Sequence, residues 1–115
     1  MLEFTPNRLD TTAQGREAII HLQQDSETLI LVKFIGPHCA ACKTLAPVLE
    51  QLVTDYSEKT NMVTVDMSED PELAMEWGVR SVPTVIVLKG SSVLEKIVGL
   101  QPKKVYVEAI KKGIE

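Results

Sequence analysis

No apolar run in this sequence approaches the roughly 18 residues that a membrane-crossing helix requires. The longest are Leu29 to Val32 and Thr84 to Leu88, so no membrane association is expected. There is no excess of basic charge either. Twelve Lys and Arg stand against 16 Asp and Glu, a net charge of −4, and this excludes a nucleic-acid surface as the main business of the chain. Internal repeats, low-complexity stretches and linkers are absent. With 115 residues, 44% hydrophobic and 24% charged, the composition is that of one globular domain spanning 1–115. The opening Met1 to Pro6 has neither a basic leader nor an apolar core, so no secretion signal is read there and a cytoplasmic location is expected. Cysteine is scarce as well. A small secreted domain would usually carry several bridges spread along the chain, whereas here Cys39 and Cys42 are the only two.

What is present is a regular alternation of patterns. Thr11 and Gln14 offer a capping box to a helix running to about Gln24, with Ala18, Ile19 and Leu22 as its buried stripe. Leu29 to Ile35 is nearly continuous in apolar residues, which suits a central strand covered on both faces, and Gly36-Pro37 ends it. Leu45, Val48, Leu49, Leu52, Val53 and Tyr56 recur at spacings of three and four, a helical stripe starting at the cysteines. Pro47 lies inside it and predicts a kink. Met62 to Asp66 reads as a strand, and Asp70-Pro71 caps and opens a short helix that stops near Trp77 and Gly78. Thr84 to Leu88 and Val93 to Val98 make a hairpin about Lys89 to Ser92. Pro102 opens a last helix with Val105, Tyr106, Ala109 and Ile110 facing inward. A small strand is also expected near Leu2 to Phe4. This order predicts an α/β fold, a mixed sheet covered by helices on both faces.

The cysteines carry the chemistry. A Cys-x-x-Cys at a helix start brings two thiols within bridging reach. Its first member faces the unpaired N–H groups and positive dipole of the helix end. That environment stabilises a thiolate, which is the nucleophile. Cys39 is therefore read as the attacking sulfur and Cys42, one turn inside, as the one that resolves the mixed disulfide. His38 and Lys43 flank the pair and add positive potential. Inert buried thiols are the plain alternative. A zinc site wants four ligands, and only His21 and His38 remain to join two cysteines. An iron–sulfur cluster would need a second chain, and haem attachment fails because Lys43, not His, follows Cys42. No cofactor or metal is expected. His21, Trp77 and the methionines read as surface and packing residues, and His38 by itself reads as an ordinary exposed histidine before it reads as a tuning group.

From about Leu29 to its end the chain resembles the thioredoxin family. The resemblance is carried by Lys33 to Lys43 around the cysteines, by Leu45-Ala46-Pro47, by Val65-Asp66, by Trp77 to Thr84 with its Val82-Pro83-Thr84, and by Val98-Gly99. It implies the thioredoxin fold, with a central mixed sheet of four to five strands. It implies a cis-proline at Pro83, packed beside the cysteines, and a Val82 backbone that pairs with an extended substrate segment. The activity it implies is thiol–disulfide exchange on disulfide-containing proteins by a monomer, with electrons from a flavin-dependent thioredoxin reductase. Three positions depart from the family's pattern. Ala40-Ala41 replaces Gly-Pro between the cysteines, His38 replaces an aromatic residue, and Lys33 stands where the family has a buried Asp. The family's partner lysine is also replaced, by Met62.

Two other readings compete with a general disulfide reductant. One is a dithiol donor serving a single target, and the other is a binding module whose cysteines are incidental. Lys33 is the oddest residue, set in an apolar strand on the face of Leu31 and Ile35. Its stem can line the core while the amine reaches water or a carboxylate, or it can act on Cys42 as a proton relay or tuning group.

Overall fold

The computed structural model describes residues 9–10, 15–24 and 27–114. In chain order they form β1 (Leu9–Asp10), α1 (Gly15–Leu22), β2 (Leu29–Ile35), α2 (Ala40–Asp55) and β3 (Thr60–Asp66). Then follow α3 (Pro71–Glu76), β4 (Thr84–Lys89), β5 (Ser92–Val98) and α4 (Lys103–Ile114). The strands make one five-stranded sheet in the order β1-β3-β2-β4-β5. β3 runs parallel to β1 and β2, whereas β4 is antiparallel to both β2 and β5. This is the expected mixed α/β sheet.

Side-chain alternation along the central strands separates two cores. Leu29 and Leu31 of β2, Met62 of β3 and Val85 and Val87 of β4 join Leu45, Leu49 and Leu52 of α2 and Tyr106, Ala109 and Ile110 of α4. Ile30, Val32 and Phe34, with Val63, Val65, Ile86 and Leu88, face Ile19 of α1 and Leu73 and Ala74 of α3. Helices therefore cover both faces. Each large apolar side chain fully buried this way contributes about 1.5–3 kcal/mol, which is why β2 is apolar on both sides. No helix among the described residues is long and apolar enough to cross a membrane.

Local chemistry places the element ends. The Asp70 carboxylate accepts the Leu73 N–H at 3.1 Å, and Pro71 occupies the first helical position of α3. Gly78, Gly90 and Gly99 all take positive φ, at the α3 stop, the β4–β5 turn and the end of β5. α2 stays helical through Pro47.

Several boundaries move. α1 stops at Leu22, with Gln23 and Gln24 in a turn, and β3 begins two residues earlier than Met62. β5 does not alternate cleanly. Its register shifts opposite Val87 and Leu88, and Ile97 is its one buried residue. The expected capping box at Thr11 to Gln14 and strand near Leu2 to Phe4 lie outside the described residues, as does the side chain of Ala18. β1 at Leu9–Asp10, paired with Val63 and Thr64, has no signal in the apolar pattern.

Candidate active site

The site sits where β2 gives way to α2. After Ile35 the chain crosses Gly36-Pro37, and His38 takes φ +57°, a left-handed conformation in which His is several-fold enriched among non-glycine residues. That turn delivers Cys39 in an extended conformation, φ −103° and ψ 99°, as the N-cap of α2. The Cys42 N–H donates to the Cys39 Sγ at 3.1 Å, and the Lys43 N–H donates to the Cys39 carbonyl at 3.2 Å. Cys39 thus does with sulfur what Ser or Asp does with oxygen at other helix starts.

The two sulfurs are joined in a Cys39–Cys42 disulfide, with Cα atoms 5.3 Å apart, inside the normal bridging range. Their exposures differ. Cys39 is half-buried and Cys42 is only 6% exposed. The expected order of an outer, accessible sulfur and an inner, shielded one is therefore built into the first turn of α2. Ala40 and Ala41 occupy that turn between them, and His38 is exposed on the loop.

Pro83 lies on a loop between α3 and β4, and the Val82–Pro83 peptide is cis. The loop is held from three sides. The Thr84 Oγ1 donates to the Ser81 carbonyl at 2.8 Å, and the Gly99 N–H donates to the Pro83 carbonyl at 2.8 Å. The third contact is at Gly36, where a Cβ would lie 3.4 Å from the Val82 Cγ2. The Val82 side chain thus packs against the end of β2. The Gly99 end is anchored in turn by Tyr106 of α4, whose hydroxyl donates to the Gly99 carbonyl and accepts from the Gln101 N–H. Burial pushes the Tyr106 phenol above its usual range, and the Gln101 hydrogen bond partly offsets this.

Lys33 is 6% exposed. It faces the α2 side of the sheet and pairs with Thr64 of β3 and Val85 of β4. With Ile35, Gly36, Cys39, Cys42, Lys43 and Ala46 it lines a cavity of about 200 Å³. So the structure brings Lys33 and Lys43 to the same hollow as both sulfurs. Ala46 is a member that sequence reasoning overlooked, although its position one turn beyond Cys42 points there. Met62 lies opposite Leu31, two pairs from the Lys33–Thr64 pair, in the apolar cluster.

The thioredoxin family model matches residues 12–112 of the chain. Thioredoxin of Bacillus subtilis (strain 168) is 40% identical over 91 residues, covering 79% of this chain and 88% of that protein. The chloroplastic thioredoxin M-type of Chlamydomonas reinhardtii is 32% identical over 105 residues, 91% of this chain and 75% of that protein. Among solved structures, thioredoxin NaTrxh from Nicotiana alata superposes with a TM-score of 0.82 at 26% identity, covering 100% of both chains.

Proposed function

The chain belongs to the thioredoxin family and is a thiol–disulfide oxidoreductase; within that chemistry we propose that it reduces protein disulfides, with Cys39 as the attacking sulfur and Cys42 as the resolving one. One observation carries this reading. Cys39 is the accessible N-cap of α2 and accepts the Cys42 N–H, while Cys42 is buried one turn behind it. A thiolate at Cys39 keeps that hydrogen bond and gains the positive end of the helix dipole.

The Cys39 thiolate attacks one sulfur of the substrate disulfide. A Cys39–substrate bond forms, the substrate S–S bond breaks, and the other substrate sulfur leaves as a thiolate. The Cys42 thiolate then attacks the Cys39 Sγ, which restores the Cys39–Cys42 bond and expels the second substrate thiolate. The substrate has gained two electrons and the cysteine pair has lost them. The pinned Val82–Pro83 loop offers its backbone to an extended substrate segment, and His38, Ala40 and Ala41 shape the approach to Cys39. A reductant must then return the pair to the dithiol, and a flavin-dependent thioredoxin reductase fits that role. Both sulfurs and the Val82 loop come from one chain, so a monomer suffices. A single local thiol pair, with no other cysteine in the chain, suits a reducing compartment such as the cytoplasm.

The test is trapping. Cys42→Ser should accumulate a mixed disulfide between Cys39 and a protein substrate, and Cys39→Ser should accumulate none. Mass spectrometry locates the adduct. An adduct on Cys42 in the Cys39→Ser variant would reverse the assigned roles. A dithiol donor restricted to one target would pass the same test with one substrate only. A pure binding module would keep its biological role after both substitutions.

A further inference from the structure

We infer that Lys33 is the counter-ion of Cys42: its buried ammonium holds the Cys42 thiolate each time that sulfur enters or leaves the disulfide. This rests on the proposed dithiol–disulfide cycle and deepens it. The carrying observation is a lysine only 6% exposed, in the middle of a core strand, that lines one small cavity with both cysteines.

A buried ammonium is costly unless an anion meets it. Lys33 has an interacting neighbour already in the disulfide form. Opening the disulfide adds a sulfur anion to the same cavity. The other groups around Cys42 do not supply this. Lys43 of α2 lines the cavity too, but it is exposed and its charge is screened by water. Glu50 lies two turns further along the stripe that starts with Cys42 and Ala46. From β3, Thr64 stands beside Lys33 and is uncharged, and Asp66, opposite Ile35, turns one carboxylate oxygen to the Ser68 N–H and hydroxyl. From β4 the neighbour is Val85. His38 is on the exposed loop before Cys39. Lys33 is thus the one buried cation among them, placed where the local dielectric makes its charge count most.

The consequences follow by sign. When Cys42 resolves a mixed disulfide, its thiol must first release a proton to solvent, and the ammonium favours that loss. When a dithiol reductant attacks the Cys39 Sγ, the Cys39–Cys42 bond breaks and Cys42 leaves with the electron pair as a thiolate beside the ammonium. Stabilising this thiolate stabilises the reduced protein wherever Cys42 is ionised. The pair is therefore more oxidising than it would be with an apolar residue at Lys33.

The experiment compares wild type, Lys33→Met and Lys33→Arg. The Cys42 thiol is titrated in the reduced protein by the NMR shift of its Cβ carbon, and the dithiol–disulfide equilibrium is measured across the alkaline range. Lys33→Met should raise the Cys42 titration by about one pH unit or more. Above that titration it should move the equilibrium about tenfold toward the disulfide, which is about 30 mV for two electrons. Lys33→Arg should keep wild-type values. An unmoved Cys42 titration in a folded Lys33→Met protein overturns the assignment. A measurement on the wild type needs no substitution. By reciprocity the Lys33 amine should titrate at higher pH in the reduced form than in the disulfide form, and equal titration in both forms overturns it equally. Failure of the wild type to reduce any protein disulfide would sink the direction proposed above, while the coupling of Lys33 to Cys42 would still be read by these titrations.

Discussion

The two faces of this sheet are made from the same strands but do different work. On the α1–α3 face, β2 presents Ile30, Val32 and Phe34, all fully buried among apolar neighbours. On the α2–α4 face the same strand presents Leu29 and Leu31, then Lys33 and Ile35 at the end nearest the cysteines. Alternation alone makes this division, since neighbours on a strand point to opposite faces. Phe34 and Lys33 are adjacent in the chain and lie in different environments. The α1–α3 face receives only apolar side chains from β2, whereas beneath the redox pair the other face carries a cavity, a cation and two sulfurs.

That separation can be broken from either side. Phe34→Ala opens a void in the apolar face and should cost about 3–5 kcal/mol, read by denaturant unfolding. Where the variant remains folded, its cysteine equilibrium should match wild type. A shifted equilibrium would show that the two faces are coupled. Asp70→Ala removes the cap of α3, which covers only the apolar face. It should cost about 1 kcal/mol in the same assay, again with the cysteine equilibrium unchanged.

The smallest effect belongs to Tyr106, on the other face, and it appears as a pH dependence. Its folded pKa is raised above the ordinary value of 10.0, chiefly by burial. The unfolded chain therefore ionises first, and the stability associated with the protonated phenol is fully present below about pH 10. It is lost as pH rises through the higher folded value. Tyr106→Phe removes that loss along with two hydrogen bonds. Wild type should be the more stable near neutrality, and its advantage should shrink above about pH 10, as followed by unfolding curves across that range.

Much of the site was legible before folding. A Cys-x-x-Cys at the start of a helical stripe already implies an outer and an inner sulfur, and the structure places Cys39 half-buried and Cys42 buried. The α3 boundaries were equally plain, because Asp70, Pro71 and Gly78 each act on their own backbone. Less was legible where a residue's value depends on a distant partner. Gly36 reads as a strand terminator, yet it also packs against the Val82 side chain. Tyr106 reads as core, yet its hydroxyl anchors the Gly99 segment that holds the Pro83 carbonyl. β1 is two residues long and carries no periodicity to detect.

The sequence by itself determined the local features: which segments are helical, where α2 and α3 begin, and that two thiols sit one helical turn apart. These depend on spacings of a few residues, where the backbone and the nearest side chains decide the outcome. Only the tertiary structure decided that Lys33 shares a cavity with both sulfurs, that Val82-Pro83 lies against Gly36, and that the strands are ordered β1-β3-β2-β4-β5. Those depend on strand register and helix packing between residues far apart in the chain, and a shift of one residue in β2 would turn Lys33 to the other face.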